Sequence, residues 1–266
     1  MEVKYDRDKP KMLESVVCYI DILGYKQMIE EAFRNNSGDS LLVEIDEAIK
    51  DALDFIKPRS ESSGTMKIFT DNIVIGKPIH DDGEIELGHT FDSFSSYQVA
   101  LALKGFFVRG AITIGEFYMN EQTVFGPALL EAYNLENQKA SEPRIILSDD
   151  SKKLVKEHLS YYAGRLGPQK KFLLKDSDGQ WFINYLYSLI EYGEYIEHKQ
   201  ASLDLLMQHK EQIIKKLEKF LNEPPILRKY IWVANYHNYF SDEYFHGEVE
   251  LKINIDLFLI KPAQIE

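Results

Sequence analysis

Residues Met66 to Gly76 read MKIFTDNIVIG, two short β-rich runs on either side of Thr70-Asp71-Asn72. Such runs predict a buried hairpin or strand pair, yet Asp71 and Asn72 stand in its middle. A carboxylate flanked by Phe, Ile and Val is costly to bury unless something pairs with it. The identity of that partner turns on the rest of the chain.

Upstream, SVVCYI (Ser15–Ile20) is an apolar strand signal that runs into Asp21-Ile22-Leu23-Gly24. A helical pattern follows over Tyr25–Phe33, then the polar break NNSGDS, in which Ser40 is a candidate cap for a second helix. That helix keeps Leu41, Leu42, Ile45, Ala48, Ile49, Leu53 and Ile56 at helical spacing, and Pro58 with the ESSG loop ends it. Downstream of the opening stretch, HDDGEIELG reads as a polar loop before a helix around Phe91–Lys104, with Gly105 just past its end. FFVRGAITIGEFYMNEQTVFG (Phe106–Gly126) predicts two β segments joined near Asn120-Glu121. Pro127 suits the first turn of the helix PALLEAYNLENQKA, and Arg144–Leu147 is a short strand. The order β-α-α-β-β-α-β-β-α-β predicts an α+β fold over residues 1–148, a mainly antiparallel sheet flanked by helices.

Residues 149–266 read as a C-terminal α/β extension packed on that domain. KKLVKEHLSYY is helical, and a hairpin is expected around Asp178-Gly179. Ala201–Leu221 is amphipathic with Lys210, Lys215, Lys216 and Lys219 on its solvent face. Pro224-Pro225 precedes the helical ILRKYIWVANYHNYF, and ELKINIDLFLI looks like a closing strand. The aromatic stretch Tyr185–His198 reads as core or interface packing.

Composition narrows the function. The 266 residues carry 31 basic and 43 acidic side chains, a net charge of −12. That argues against a broad nucleic-acid surface while leaving room for a local basic pocket for a phosphorylated ligand. The single cysteine, Cys18, cannot form an intrachain disulfide and reads as a buried small hydrophobe in a reducing cytoplasm. MEVKYDRDKPK has no apolar signal core, and no run approaches a membrane span.

Asp21 and Asp71 each sit at the end or bend of an apolar strand, where neighbouring strands can bring them together. Two converging carboxylates suit Mg²⁺ or Mn²⁺ bound with substrate phosphates. The Leu23-Gly24-Tyr25 turn opens a helix whose free N–H groups suit a triphosphate. The plainer reading makes Asp21 a helix cap and Asp71 a turn residue. Arg109, in an otherwise apolar segment, must meet a carboxylate or a phosphate. Lys67 shares a strand face with Asp71 and points either to a ligand there or to solvent. Asn235, His237 and Asn238 read as satisfied polar residues in a packing face. Nothing fits HExxH, paired CxxC, GxSxG or a P-loop.

Taken in order, the motifs resemble the class III nucleotidyl cyclases. CYIDILGYKQM resembles their first metal-binding segment, and IFTDNIVIG stands in the place of their second-metal hairpin. VRGAITIGEFYMNEQTVFGPALLEAYNLEN is similar to their strand–hairpin–helix segment. The variants IDILGY, TDN, RGAITIG and VFGPALLEAYNLE are most like those of the bacterial anti-phage (Pycsar) pyrimidine cyclases. The resemblance spans Ser15 to Leu147 and implies that Asp21, Asp71 and the Ile22 carbonyl hold two divalent ions, with Arg109 on the phosphates. Purine-type cyclases carry an Asn and an Arg where this chain has Leu130 and Asn134. Lys67 matches an adenine-reading Lys, but Thr123 replaces its Asp partner. The resemblance therefore implies a pyrimidine nucleoside triphosphate, UTP ahead of CTP, and a homodimer with sites at the interface. A cyclase fold that binds without turnover and a purine cyclase remain as alternatives.

Overall fold

The computed structural model describes residues 3–60, 64–191 and 199–258. Sixteen helices and strands are named here in chain order. They are β1 (Leu13–Ile22), α1 (Tyr25–Arg34), α2 (Gly38–Ile56), β2 (Thr65–Phe69), β3 (Asn72–Pro78) and α3 (Glu84–Leu103). Next come β4 (Val108–Met119), β5 (Val124–Phe125), α4 (Pro127–Lys139), β6 (Ile145–Leu147) and α5 (Asp149–Tyr161). Last are β7 (Leu173–Lys175), β8 (Trp181–Ile183), α6 (Ser188–Glu191), α7 (Lys199–Lys219) and α8 (Pro224–Tyr244).

The strands form one sheet in the order β2-β3-β1-β4-β6-β8-β7, with β5 added to β4. Only β4 and β6 pair in parallel; the other pairings are antiparallel. A parallel neighbour needs a crossover, and α4 supplies it. The architecture is thus the α+β arrangement expected, a mostly antiparallel sheet flanked by helices. β1 has β3 on one side and β4 on the other, so Cys18 faces Ile75 and Ile112 across the two ladders. Val16, Val17 and Cys18 are fully buried, which is why SVVCYI lacks polar alternation. Burial pushes the Cys18 thiol up to about 12, and nearby Lys77 only partly offsets this.

Several expectations are corrected. Ser40 lies inside α2, which starts at Gly38 with Ser37 before it, and no side chain caps that end. The EIEL of the supposed polar loop is already helix, because Asp82 Oδ1 accepts the Glu84 N–H at 3.0 Å and starts α3 early. The closing strand is absent up to Phe258, where 3-10 turns at Val249–Leu251 and Ile255–Leu257 stand instead. The cause is local pairing with α8. Asn238 accepts the Ile253 N–H at 2.8 Å and donates to its carbonyl at 2.9 Å, while His237 Nε2 donates to the Leu251 carbonyl at 2.9 Å. Residues 259 and 260 of that expected strand lie outside the described residues, as do 61–63 of the ESSG loop and 192–198 of the aromatic stretch. Within the latter, Tyr185, Leu186 and Leu189 are buried as expected.

The chain forms two compact units, residues 1–101 with 106–188, and residues 102–105 with 189–266. The division expected at residue 148 falls later because β8 pairs with β6, matching Phe182 to Ile146. The β7–β8 hairpin also brings Asp176 and Asp178 onto Arg144, whose side chain is 1% exposed. In the second unit α7 and α8 pack together, with Phe220 stacked on Tyr230 at 5.5 Å. Buried between them, His209 Nδ1 lies 3.0 Å from His237 Nδ1. Among the described residues no helix is long and apolar enough to cross a membrane.

Candidate active site

The β1–β4 register sets Asp21 directly opposite Arg109. Period-two alternation puts Tyr19 and Asp21 on one face of β1, and Arg109, Ala111 and Thr113 on the same face of β4. α4 covers this face, tied down by Thr113 Oγ1 donating to the Ala128 carbonyl at 2.8 Å. Its buried stripe is Ala128, Ala132 and Glu136, at steps of four. The two alanines let the helix approach closely, and Glu136 arrives over Arg109.

Arg109 is held between two carboxylates. Its Nε and Nη2 donate to Asp21 Oδ2 at 3.2 and 3.1 Å. Glu136 Oε1 lies 2.7 Å from Nε, close enough for an ion pair but away from the N–H axis. The expectation that Arg109 meets a carboxylate holds, and it meets two. The Glu136 side chain is 3% exposed, so this is a buried charge that needs its counter-ion.

Asp71 stands at the hairpin turn between β2 and β3. Because Ile20 pairs with Ile73, that turn lies alongside the end of β1. The Asp71 carboxylate comes within hydrogen-bonding range of Asp21. Burial, and then this neighbouring carboxylate, push Asp21 up to about 7 against the opposing pull of Arg109. Asp71 Oδ1 is itself oriented by Thr70 Oγ1 at 2.7 Å and Asn72 Nδ2 at 3.1 Å. The Tyr19 hydroxyl donates to Asn72 Oδ1. Tyr19 is pushed up to about 12, chiefly by burial and then by Glu136, Asp21, Tyr133 and Asp71. Asn72 is thus more than turn geometry, because it fixes the rotamer of Asp71.

The donor set fits a hard divalent cation. Two converging carboxylates repel each other in a partly buried setting and are relieved by a positive ion with oxygen ligands. Among the described residues no group of three or more His, Cys, Asp or Glu gathers as a metal cluster. The remaining ligands are then oxygens of backbone, water or phosphate, as is usual for Mg²⁺ and Mn²⁺. Ile22, the last residue of β1, is adjacent in the chain to supply one.

The helix-start turn is partly corrected. The Leu23 N–H is taken by the Phe107 carbonyl at 2.8 Å, one more rung of the β1–β4 ladder, so it is not free for a phosphate. Gly24 precedes α1 with φ +78, and the N–H groups from Tyr25 onward begin a turn with no intrahelical acceptor. Asp21 lies in the strand rather than capping α1. Lys67 is half-buried on β2 with its ammonium 6.0 Å above the Phe69 ring. It lines an open groove of about 870 Å³ with Arg7, Lys57, Arg59 and Asn120. Thr123 is exposed in the β4–β5 turn, its N–H donating to Asn120 Oδ1 at 2.8 Å. The structure therefore gathers Asp21, Asp71 and Arg109, while Lys67 and Thr123 belong to a neighbouring groove and turn. Leu130 and Asn134 are exposed on α4.

Glu136, Tyr19 and Asn72 escaped the sequence reading. The signal for Glu136 was present in the four-residue steps from Ala128, which place it on the inward stripe.

No family model matches the chain, and no curated protein matches it. Among solved structures it is similar to the adenylyl cyclase CyaB from P. aeruginosa, at 15% identity and TM-score 0.44, over 65% of this chain and 94% of that one. It is also similar to the guanylyl cyclase Cya2, at 13% identity and TM-score 0.44, over 65% and 93%. A class III adenylyl cyclase-like ATP-binding protein from Pseudomonas aeruginosa matches at 10% identity and TM-score 0.41, over 54% of this chain and 35% of that one.

Proposed function

We propose that this chain is a nucleotidyl cyclase that converts a pyrimidine nucleoside triphosphate, UTP ahead of CTP, to its 3′,5′-cyclic nucleotide and pyrophosphate. The observation that supports it is the convergence of Asp21, Asp71 and Arg109 at the ends of three adjacent strands. The ribose 3′-oxygen loses its proton and bonds to the α-phosphorus, while the bond from that phosphorus to the pyrophosphate oxygen breaks. Two divalent ions, Mn²⁺ or Mg²⁺, supply Lewis acidity at the 3′-oxygen and the triphosphate when bound by Asp21, Asp71 and the Ile22 carbonyl. Arg109 neutralises the charge that develops on the phosphates. Gly24 and Tyr25 offer backbone N–H groups to the triphosphate, and Lys67 with Thr123 reads a pyrimidine carbonyl. In this reading the sites complete themselves between two copies of the chain, which acts in the cytoplasm to make a second messenger in anti-phage defence.

The deciding experiment incubates the purified protein with each of ATP, GTP, CTP and UTP and Mn²⁺, and follows cyclic product and pyrophosphate. UTP or CTP is expected to give product, and Asp71→Ala to abolish it. Product from ATP or GTP alone would move the specificity to purines.

A second reading, nucleotide binding without turnover, draws on Leu130 and Asn134, which stand exposed at the positions where the purine-type pattern has an Asn and an Arg respectively. Nucleotide binding that survives Asp71→Ala, with no product from any of the four, would favour it.

A further inference from the structure

Two carboxylates, those of Asp21 and Glu136, share the single guanidinium of Arg109, and Asp71 stands beside Asp21. The sharing is uneven. The contacts to Asp21 are aligned but stretched, at 3.1 and 3.2 Å, while the contact to Glu136 is close at 2.7 Å but off the N–H axis. A guanidinium split in this way reaches a fully aligned pair with either partner through a small turn of its plane. On Asp21 it competes directly with any cation for Oδ2. On Glu136 it leaves that oxygen open and still projects its remaining N–H groups into the site.

We propose that Glu136 is a positioning residue that takes Arg109 over from Asp21 when the Asp21–Asp71 pair receives a divalent cation. Arg109 is thereby kept in the site as a clamp for phosphate rather than as a plug on the carboxylates. This rests on the cation-binding reading of Asp21 and Asp71 given above. Glu136 suits the task because it is buried, so its charge is not answered by water, and because α4 anchors it independently of both hairpins. With glutamine at this position, Arg109 has Asp21 as its one charged partner and holds it against incoming cations.

The test uses the full chain and Mn²⁺ alone, with free ion followed by electron paramagnetic resonance. Wild type is expected to bind Mn²⁺, and Glu136→Gln to bind it about tenfold more weakly, as expected for loss of a supporting carboxylate. Glu136→Asp, one methylene shorter, is the second variant should the glutamine form not fold, and it is expected to weaken binding in the same direction. The Arg109→Ala/Glu136→Gln double variant is expected to return to wild-type affinity, because the plug is gone.

A second arm needs no Glu136 variant. The Arg109 Nε–H resonance, assigned by its loss in Arg109→Lys, is expected to shift on Mg²⁺ addition and stay protected from solvent exchange. Glu136→Gln binding Mn²⁺ as wild type does, or an Arg109 Nε–H that loses protection in Mg²⁺-loaded wild type, overturns the role of Glu136 alone. A wild-type chain that binds no Mn²⁺ overturns the metal-binding reading and this inference with it.

Discussion

Thr70 adopts φ +57 in the turn that carries Asp71, a conformation that suits Gly or Asn and crowds a β-branched side chain. The strain sits beside a hydroxyl that lies 2.7 Å from Asp71 Oδ1, so it is tied to the orientation of the site carboxylate. Thr70→Asn is expected to raise stability by about 1 kcal/mol, the usual left-handed penalty for such a residue, and to weaken Mn²⁺ binding. A urea midpoint at or below that of wild type would contradict the strain account. At this scale the sequence showed whatever broke an apolar pattern. Asp21, Asp71 and Arg109 were legible because a charge among Ile, Val and Phe demands a partner. Tyr19 and Asn72 were not, since a tyrosine blends into a core strand and an asparagine into a turn. Glu136 hid for a different reason: apolar and polar residues are mixed around α4, with Leu130 and Tyr133 exposed, so one more acidic residue there looks solvated.

The strand ladders that deliver those side chains depend on close approach. A Cβ added at Gly110 would stand 2.5 Å from the Tyr19 carbonyl oxygen and 3.1 Å from Ile20 Cα. Both are backbone atoms of β1, which cannot swing aside as a side-chain tip can. Gly110→Ala is therefore expected to destabilise the protein by about 3 kcal/mol, the upper range for overpacking, and to open the Asp21–Arg109 register. Urea unfolding checks it, and a midpoint equal to that of wild type would refute the packing argument. The strands and most helices were legible as apolar runs, their periods and their Gly and Pro boundaries. The closing strand was misread because its backbone groups bond side chains of α8, a partnership that local β-propensity cannot register. The α2 start was misread because several polar residues of NNSGDS can begin a helix and none makes a capping bond.

For the molecule as a whole, the division at residue 188 was not legible because two three-residue strands, β7 and β8, carry little periodic signal of their own. The second unit has a pH sensitivity of its own, set by two buried histidines. His237 is lowered to about 4 by burial first, then by Lys210 and Lys252, although its bond to the Leu251 carbonyl pulls the other way. His209 is lowered by burial and by His237. Both are neutral when folded and take up protons more readily when unfolded. Their contribution is present above the unfolded value of about 6.5 and is lost as pH falls from there towards 4. Between pH 7.5 and 5, His237 alone is expected to remove on the order of 2 kcal/mol from the unfolding free energy. The difference between the urea-midpoint profiles of wild type and His237→Gln isolates it from the opposing titration of Asp21, and two parallel profiles would contradict it. The sheet also carries a consequence for the order of its own assembly. Asp71 closes a hairpin with a two-residue turn, whereas Asp21 and Arg109 join across 88 positions of chain. Loop-closure entropy makes the first contact early and the second late. Until that late contact forms, Asp21 lacks its Arg109 counter-charge, and its repulsion from Asp71 opposes the pairing of β1 with β3. Arg109 is thus a counter-charge that favours closure of the central ladder, which ties the completion of the sheet to that of the site.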